Sequence, residues 1–139
     1  VIVTPYVATD GIIELYEDGR MRGIVLIERK NPPYGLALPG GFVEVGESCE
    51  EALVREMMEE TALEVEIERL LGVYSDPKRD SRFHTVSCVY LCRAEGEPRG
   101  GDDAARAFVY PLHEIPFRRL CFDHARILSD YLESRGLKA

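Results

Sequence analysis

The stretch GGFVEVGESCEEALVREMMEETAL, from Gly40 to Leu63, constrains this chain more than any other. Paired glycines lead through a polar turn to Ser48, and Glu51 follows three residues later, the pattern of a capping box at a helix N-terminus. The spacing predicts a helix over Cys49–Thr61. At about 100° per residue, Leu53, Met57 and Thr61 fall on one side, the side expected to be buried. Glu56, Glu59 and Glu60 share an arc of roughly 100° above the small Ala52. Like charges three and four residues apart destabilise an isolated helix, so such a face needs a partner. Solvated lysines are the ordinary one. A hard divalent cation such as Mg2+ or Mn2+, which takes oxygen ligands, is the other. Three neighbours favour the cation. Gly40-Gly41 lets backbone approach a ligand closely, Glu47 stands just ahead of the helix, and Arg55 can hold an acid in a forked, charge-assisted hydrogen bond.

The remaining pattern is that of one α/β domain spanning residues 1–139, a mixed sheet with a helix on each side. Tyr6–Leu15 and Gly23–Arg29 read as strands of a hairpin about the turn signal Glu17-Asp18-Gly19. Asn31–Gly35 reads as a loop, because Pro32 and Pro33 cannot donate to a sheet ladder. A short segment, Leu36–Leu38, precedes the glycines. Further strands are expected over Glu64–Tyr74, bent at Gly72, over His84–Arg93, and over Arg106–Tyr110. A second helix is expected over Asp123–Ser134, capped by Asp123 and stopped by Gly136, with an apolar stripe of Ala125, Ile127, Leu128, Tyr131 and Leu132.

Charge narrows the function classes. A net charge of -8 argues against gripping duplex nucleic acid, which requires a basic surface. It leaves a small phosphorylated ligand open, since metal ions can supply the positive charge. Cys49, Cys88, Cys92 and Cys121 form no Cys-x-x-Cys pair and no zinc spacing. Reduced structural thiols in a cytoplasmic protein are the expectation. No apolar run reaches membrane-spanning length and no signal peptide is visible.

Gly41, Glu47, Arg55-Glu56, Met57, Glu59-Glu60 and Leu63 stand at the spacing of the Nudix hydrolase signature, which this stretch resembles. One position departs: Ala62 replaces the glycine that ends the helix, so the helix is expected to run on slightly. The resemblance implies an α/β/α sandwich and a reaction in which water attacks a nucleoside diphosphate linked to a further group. It also implies Glu56 and Glu60 as metal ligands, Glu59 as a ligand or the base, the carbonyl of Gly40 as a further ligand, and Glu47 and Arg55 as the groups that orient the acids. Some relatives take a ligand or base from the later loop, which here offers Glu95, Glu97, Asp102 and Asp103; Arg106, where a Glu often stands, can be neither.

The segment Tyr74–Ser87, containing SDPKRDSRFHTVS, resembles prokaryotic-type ADP-ribose pyrophosphatases, with Ser81 and Phe83 replacing a proline and a glycine. Cys121-Phe122-Asp123-His124-Ala125 is similar to the same subgroup. The resemblance implies that Arg79 and Arg82 meet the diphosphate or terminal ribose, that Phe83 narrows the pocket or stacks on a base, and that Asp103 contacts substrate. His84 reads as a strand-start residue with a satisfied hydrogen bond. The expected reaction is ADP-ribose to AMP and ribose 5-phosphate, in a homodimer. The alternatives are an oxidised nucleoside triphosphate, a dinucleoside polyphosphate or a sugar nucleotide as substrate, or a non-catalytic nucleotide-binding domain.

Overall fold

The sheet of the computed structural model, which describes residues 1–101 and 104–138, is organised around β1 (Tyr6–Glu17). β6 (Thr85–Glu95) runs parallel to β1 along nearly all of its length, from Tyr6↔Thr85 to Tyr16↔Glu95. Parallel strands are buried on both faces, and the sequence permits it. Ile12 and Ile13 point to opposite faces of the sheet, and both are fully buried.

β2 (Arg20–Arg29) returns antiparallel to the end of β1 through a turn in which Asp18 and Gly19 both have positive φ, 51° and 77°. That backbone matches the twist of a tight hairpin. The remaining strands are β3 (Leu36–Ala37), β4 (Gly40–Phe42), β5 (Glu66–Tyr74) and β7 (Ala104–Tyr110). The order is β3-β2-β1-β6-β5, with β4 pairing the start of β1 and β7 pairing β2. β5 slips register against β6 twice, the second time between Leu70 and Gly72, where a bend is expected. Strand bounds otherwise differ from the sequence reading by one to three residues at an end.

α1 (Cys49–Thr61) and α2 (His124–Ser134) cover opposite faces. Leu53 and Met57 of α1 pack with Ile13, Val25, Tyr90 and Cys92. Ile127, Leu128 and Tyr131 of α2 pack with Ile12, Ile24, Leu26 and Leu91. The alternation along β1, β2 and β6 therefore feeds two cores, which is the α/β/α sandwich. Each fully buried Ile or Leu contributes about 1.5–3 kcal/mol. Glu14, buried on β1, takes Arg135 Nη1 at 2.6 Å and the Tyr131 hydroxyl, fastening α2 to the sheet.

Two end effects correct the sequence reading. The capping box of α1 is present: Glu51 N donates to Ser48 Oγ at 3.0 Å and Ser48 N to Glu51 Oε1 at 2.8 Å. At the other end the helix does not run on. Ala62 itself takes the left-handed conformation, φ 60°, and its amide closes on the Met58 carbonyl at 3.0 Å. Alanine does what glycine does, at a steric cost. On α2, Asp123 holds the N-cap position but its side chain caps nothing, because Arg79 occupies it. The α2 C-terminus closes as expected: Gly136 has φ 77° and the Leu137 amide reaches the Leu132 carbonyl at 2.8 Å.

Ala62→Gly is expected to stabilise the fold by about 1 kcal/mol, raising Tm by roughly 3–5 °C. Thermal unfolding checks this, and a lower Tm would contradict the strain assigned to Ala62.

Candidate active site

β4 lies between β1 and α1, and the space it leaves explains its glycines. A Cβ on Gly41 would sit 2.5 Å from the Glu56 carboxyl carbon and 2.6 Å from each of its oxygens. A Cβ on Gly40 would sit 2.2 Å from Asp10 Oδ1. At Gly40 the β1 backbone at Thr9 and Asp10 leaves no room for a side chain, and at Gly41 a side chain would have to displace the Glu56 carboxylate. Glu60, buried, accepts the Gly40 amide at 2.9 Å. The contact seen at Gly40 is thus made by its N–H.

The acids of α1 are held from outside by Arg55. Its Nε and Nη2 fork onto Glu47 at 3.1 and 2.6 Å, its Nη1 reaches Glu56 at 2.7 Å and Glu59 at 3.3 Å, and Nη2 also donates to the Phe42 carbonyl at 3.1 Å. These charge-assisted bonds hold the Arg55 guanidinium in its charged form and, with the Glu44 amide, draw Glu47 below the ordinary carboxyl range. The three helix acids differ in setting. Glu56 and Glu60 line a cleft of about 340 Å3, and the Glu56 side chain is 14% exposed. Glu59, 54% exposed, stands outside the lining beside Arg55.

The cleft also gathers residues from β1, the end of β2, the loop after β5 and the start of α2. Arg79, 4% exposed, forks onto Asp123 at 2.9 and 2.7 Å. Arg82 forks onto the buried Asp80 at 3.0 and 2.8 Å. Burial alone would push the Asp80 carboxyl up, but the bonds from Arg82 hold it below its ordinary value. His124 is buried, and its Nδ1 accepts the Leu38 amide at 3.0 Å, which places the proton on Nε2. Burial depresses its pKa, so the ring is neutral.

Arg79 and Arg82, assigned to the diphosphate or terminal ribose by the resemblance, both line the cleft. Phe83 does not: it sits on the rim, packed on Tyr6 at 4.8 Å and Phe42 at 5.9 Å between ring centres. Asp102 and Asp103 lie outside the described residues. His84 has Nε2 3.1 Å from the Ser75 carbonyl, the strand-start role expected of it. Asp10, Arg29, Phe122 and His124 line the cleft without having been singled out as site residues. For Phe122 and His124 the Phe-Asp-His-Ala motif was the available signal.

Chemically, the cleft sets carboxylates on one helix near guanidiniums from distant segments. No three acid, His or Cys side chains among the described residues are gathered as a ready metal cage. The donor set is nonetheless oxygen-rich and partly buried, and the missing side chain of Gly41 brings the Glu56 carboxylate against backbone. That chemistry suits a hard divalent cation.

The depressed pKa of His124 predicts a pH dependence. The unfolded chain takes up the proton first, near the ordinary value of about 6.5. The His124 contribution is therefore full above that pH and is lost as pH falls below it. Urea unfolding should show stability declining from about pH 7 to 5, and His124→Asn, whose oxygen can accept the Leu38 amide, should flatten that decline. An unchanged slope in the variant would contradict the assignment.

Comparison with known proteins adds relatives to this geometry. The NUDIX domain model matches residues 5–131. The chain is 50% identical over 131 residues to the ADP-ribose pyrophosphatase of Methanocaldococcus jannaschii, covering 92% of this chain and 73% of that protein. It superposes on the crystal structure of a MutT/nudix family protein from Enterococcus faecalis with TM-score 0.80 at 26% identity, covering 96% of this chain and 63% of that one. It also superposes on a bifunctional NMN adenylyltransferase/ADP ribose pyrophosphatase from Francisella tularensis, complexed with AMP and a Mn ion. There the TM-score is 0.80 at 26% identity, covering 94% of this chain and 42% of that one.

Proposed function

Because the chain belongs to the Nudix family, we propose that it is a pyrophosphohydrolase that converts ADP-ribose to AMP and ribose 5-phosphate with a divalent cation, Mg2+ or Mn2+. The observation that carries this reading is the packing of the Glu56 carboxylate against Gly41 beside the buried Glu60, in a cleft that also holds Arg79 and Arg82. The substrate reading is supported by the Methanocaldococcus jannaschii relative, an ADP-ribose pyrophosphatase at 50% identity.

A diphosphate repels nucleophiles, and its leaving group departs as a phosphate anion. Glu56, Glu60 and the backbone carbonyl of Gly40 would hold the cation, which would offset phosphate charge and lower the pKa of a bound water. Glu59, exposed beside Arg55, is either a further ligand or the base that takes the proton of the attacking water. That water's oxygen bonds to one phosphorus, and the bridging P–O bond breaks. The bridging oxygen departs with the other phosphate. Glu47 acts through Arg55, which fixes Glu56 against the glycine. Arg82 meets the phosphates. Arg79, its fork occupied by Asp123, supports the start of α2.

The reading includes a cytoplasmic homodimer. Among the described residues no helix is long and apolar enough to cross a membrane, and the four cysteines are free thiols.

Incubation with Mg2+ and a substrate panel tests the proposal by product identity. AMP from ADP-ribose is expected, whereas pyrophosphate released from nucleoside triphosphates, or binding without turnover, would overturn it. Glu56→Gln and Glu60→Gln should each lower kcat/KM by roughly 100-fold or more while folding normally. Near-normal turnover by both variants at saturating Mg2+ would sink the metal-site assignment.

A further inference from the structure

We propose that Phe122 is a positioning residue for the substrate's diphosphate: its ring holds the guanidiniums of Arg29 and Arg82 as a two-pronged anion clamp inside the cleft. The proposal rests on the nucleotide-diphosphate reading above and adds Arg29 and Phe122 to it.

Phe122 has φ 56°, left-handed backbone that a bulky side chain avoids. Its neighbours enforce it. The Cys121 amide donates to the Leu36 carbonyl at 2.8 Å, Asp123 is gripped by Arg79, and His124 Nδ1 accepts the Leu38 amide. Glycine would satisfy the same backbone without strain. A large ring kept there in spite of the strain points to a role in the site.

The role visible is electrostatic. The Arg29 guanidinium carbon lies 4.8 Å from the Phe122 ring centre and that of Arg82 lies 5.2 Å from it. The negative face of an aromatic ring attracts both cations. They repel each other: burial first, then the charge of Arg82, pushes the Arg29 pKa down. Protein acceptors take one edge of each guanidinium. Arg29 Nε donates to the Pro33 carbonyl at 2.8 Å and Nη2 to the Pro32 carbonyl at 3.4 Å, while Arg82 Nε and Nη2 hold Asp80. The Nη1 group of each has no hydrogen-bond partner among the described residues. Two oriented, like-charged guanidiniums with donors to spare, in the cleft that holds Glu56 and Glu60, suit a ligand with oxygens on two adjacent phosphorus atoms.

The test uses Phe122→Gly, Phe122→Leu and Phe122→Tyr. Their readouts are Tm, steady-state kinetics on ADP-ribose with Mg2+, and calorimetric binding of inorganic pyrophosphate in metal-free buffer. Phe122→Gly should keep or raise Tm, because it relieves the backbone. It should raise KM and the pyrophosphate Kd by about tenfold while kcat changes less than about threefold. Phe122→Leu, which keeps bulk without a π face, should weaken binding similarly, and Phe122→Tyr should restore it to within about twofold. Unchanged KM and Kd in the Gly and Leu variants would overturn the clamp, as would a lowered Tm with unchanged binding. If the wild type leaves ADP-ribose intact, the substrate reading fails and the pyrophosphate arm still decides the clamp. A wild type that does not bind pyrophosphate overturns it.

Discussion

The side of the cleft formed by α1 depends on one guanidinium. Arg55 contacts Glu47, Glu56, Glu59 and the Phe42 carbonyl at once, and so ties the turn before α1, the helix face and the end of β4 together. Without it three carboxylates would face one another with no nearby compensation from this side chain, and neighbouring like charges destabilise a helix. The same contact presses the Glu56 carboxylate onto Gly41, where any Cβ would collide with it. An acid held this way is oriented before a ligand arrives, and such preorganisation reduces what binding must otherwise supply.

The opposite chemistry is assembled by tertiary structure. Arg29 comes from the end of β2, Arg79 and Arg82 from the loop before β6, and Phe122 from the entry to α2. Backbone strain accompanies the site at two places. Ala62 closes α1 and Phe122 opens α2, both with left-handed backbone. At Ala62 glycine would serve as well and the strain has no visible return. At Phe122 the ring meets two cations, so the strain is coupled to the site.

What the sequence made legible follows the range of the interactions involved. The bounds of α1 and its capping box were readable because both ends are set by residues within a few positions and the helical period repeats for several turns. The mixed sheet with a helix on each side was readable from the order of strand and helix patterns, and the α/β/α sandwich from the resemblance carried by the α1 signature. Asp123 was misread as a side-chain cap because its partner, Arg79, lies 44 residues away. Ala62 was expected to extend the helix because composition alone does not reveal that the chain must turn there. Glu59 was grouped with Glu56 and Glu60 by helical angle and by the signature; the structure leaves it outside the cleft lining, beside Arg55. Arg29 and Asp10 reach the cleft only through sheet pairing, which no local pattern records, whereas Phe122 lay in a motif whose place in the cleft the sequence did not reveal.

The central claim is that the α1 face, braced by Arg55, holds a divalent cation for diphosphate hydrolysis. Anomalous scattering from crystals soaked in Mn2+ tests it most directly. The account predicts a manganese peak against the carboxylates of Glu56 and Glu60 beside Gly40, lost in crystals of Glu56→Gln. A peak elsewhere in the cleft, or one that persists unchanged in that variant, would contradict it.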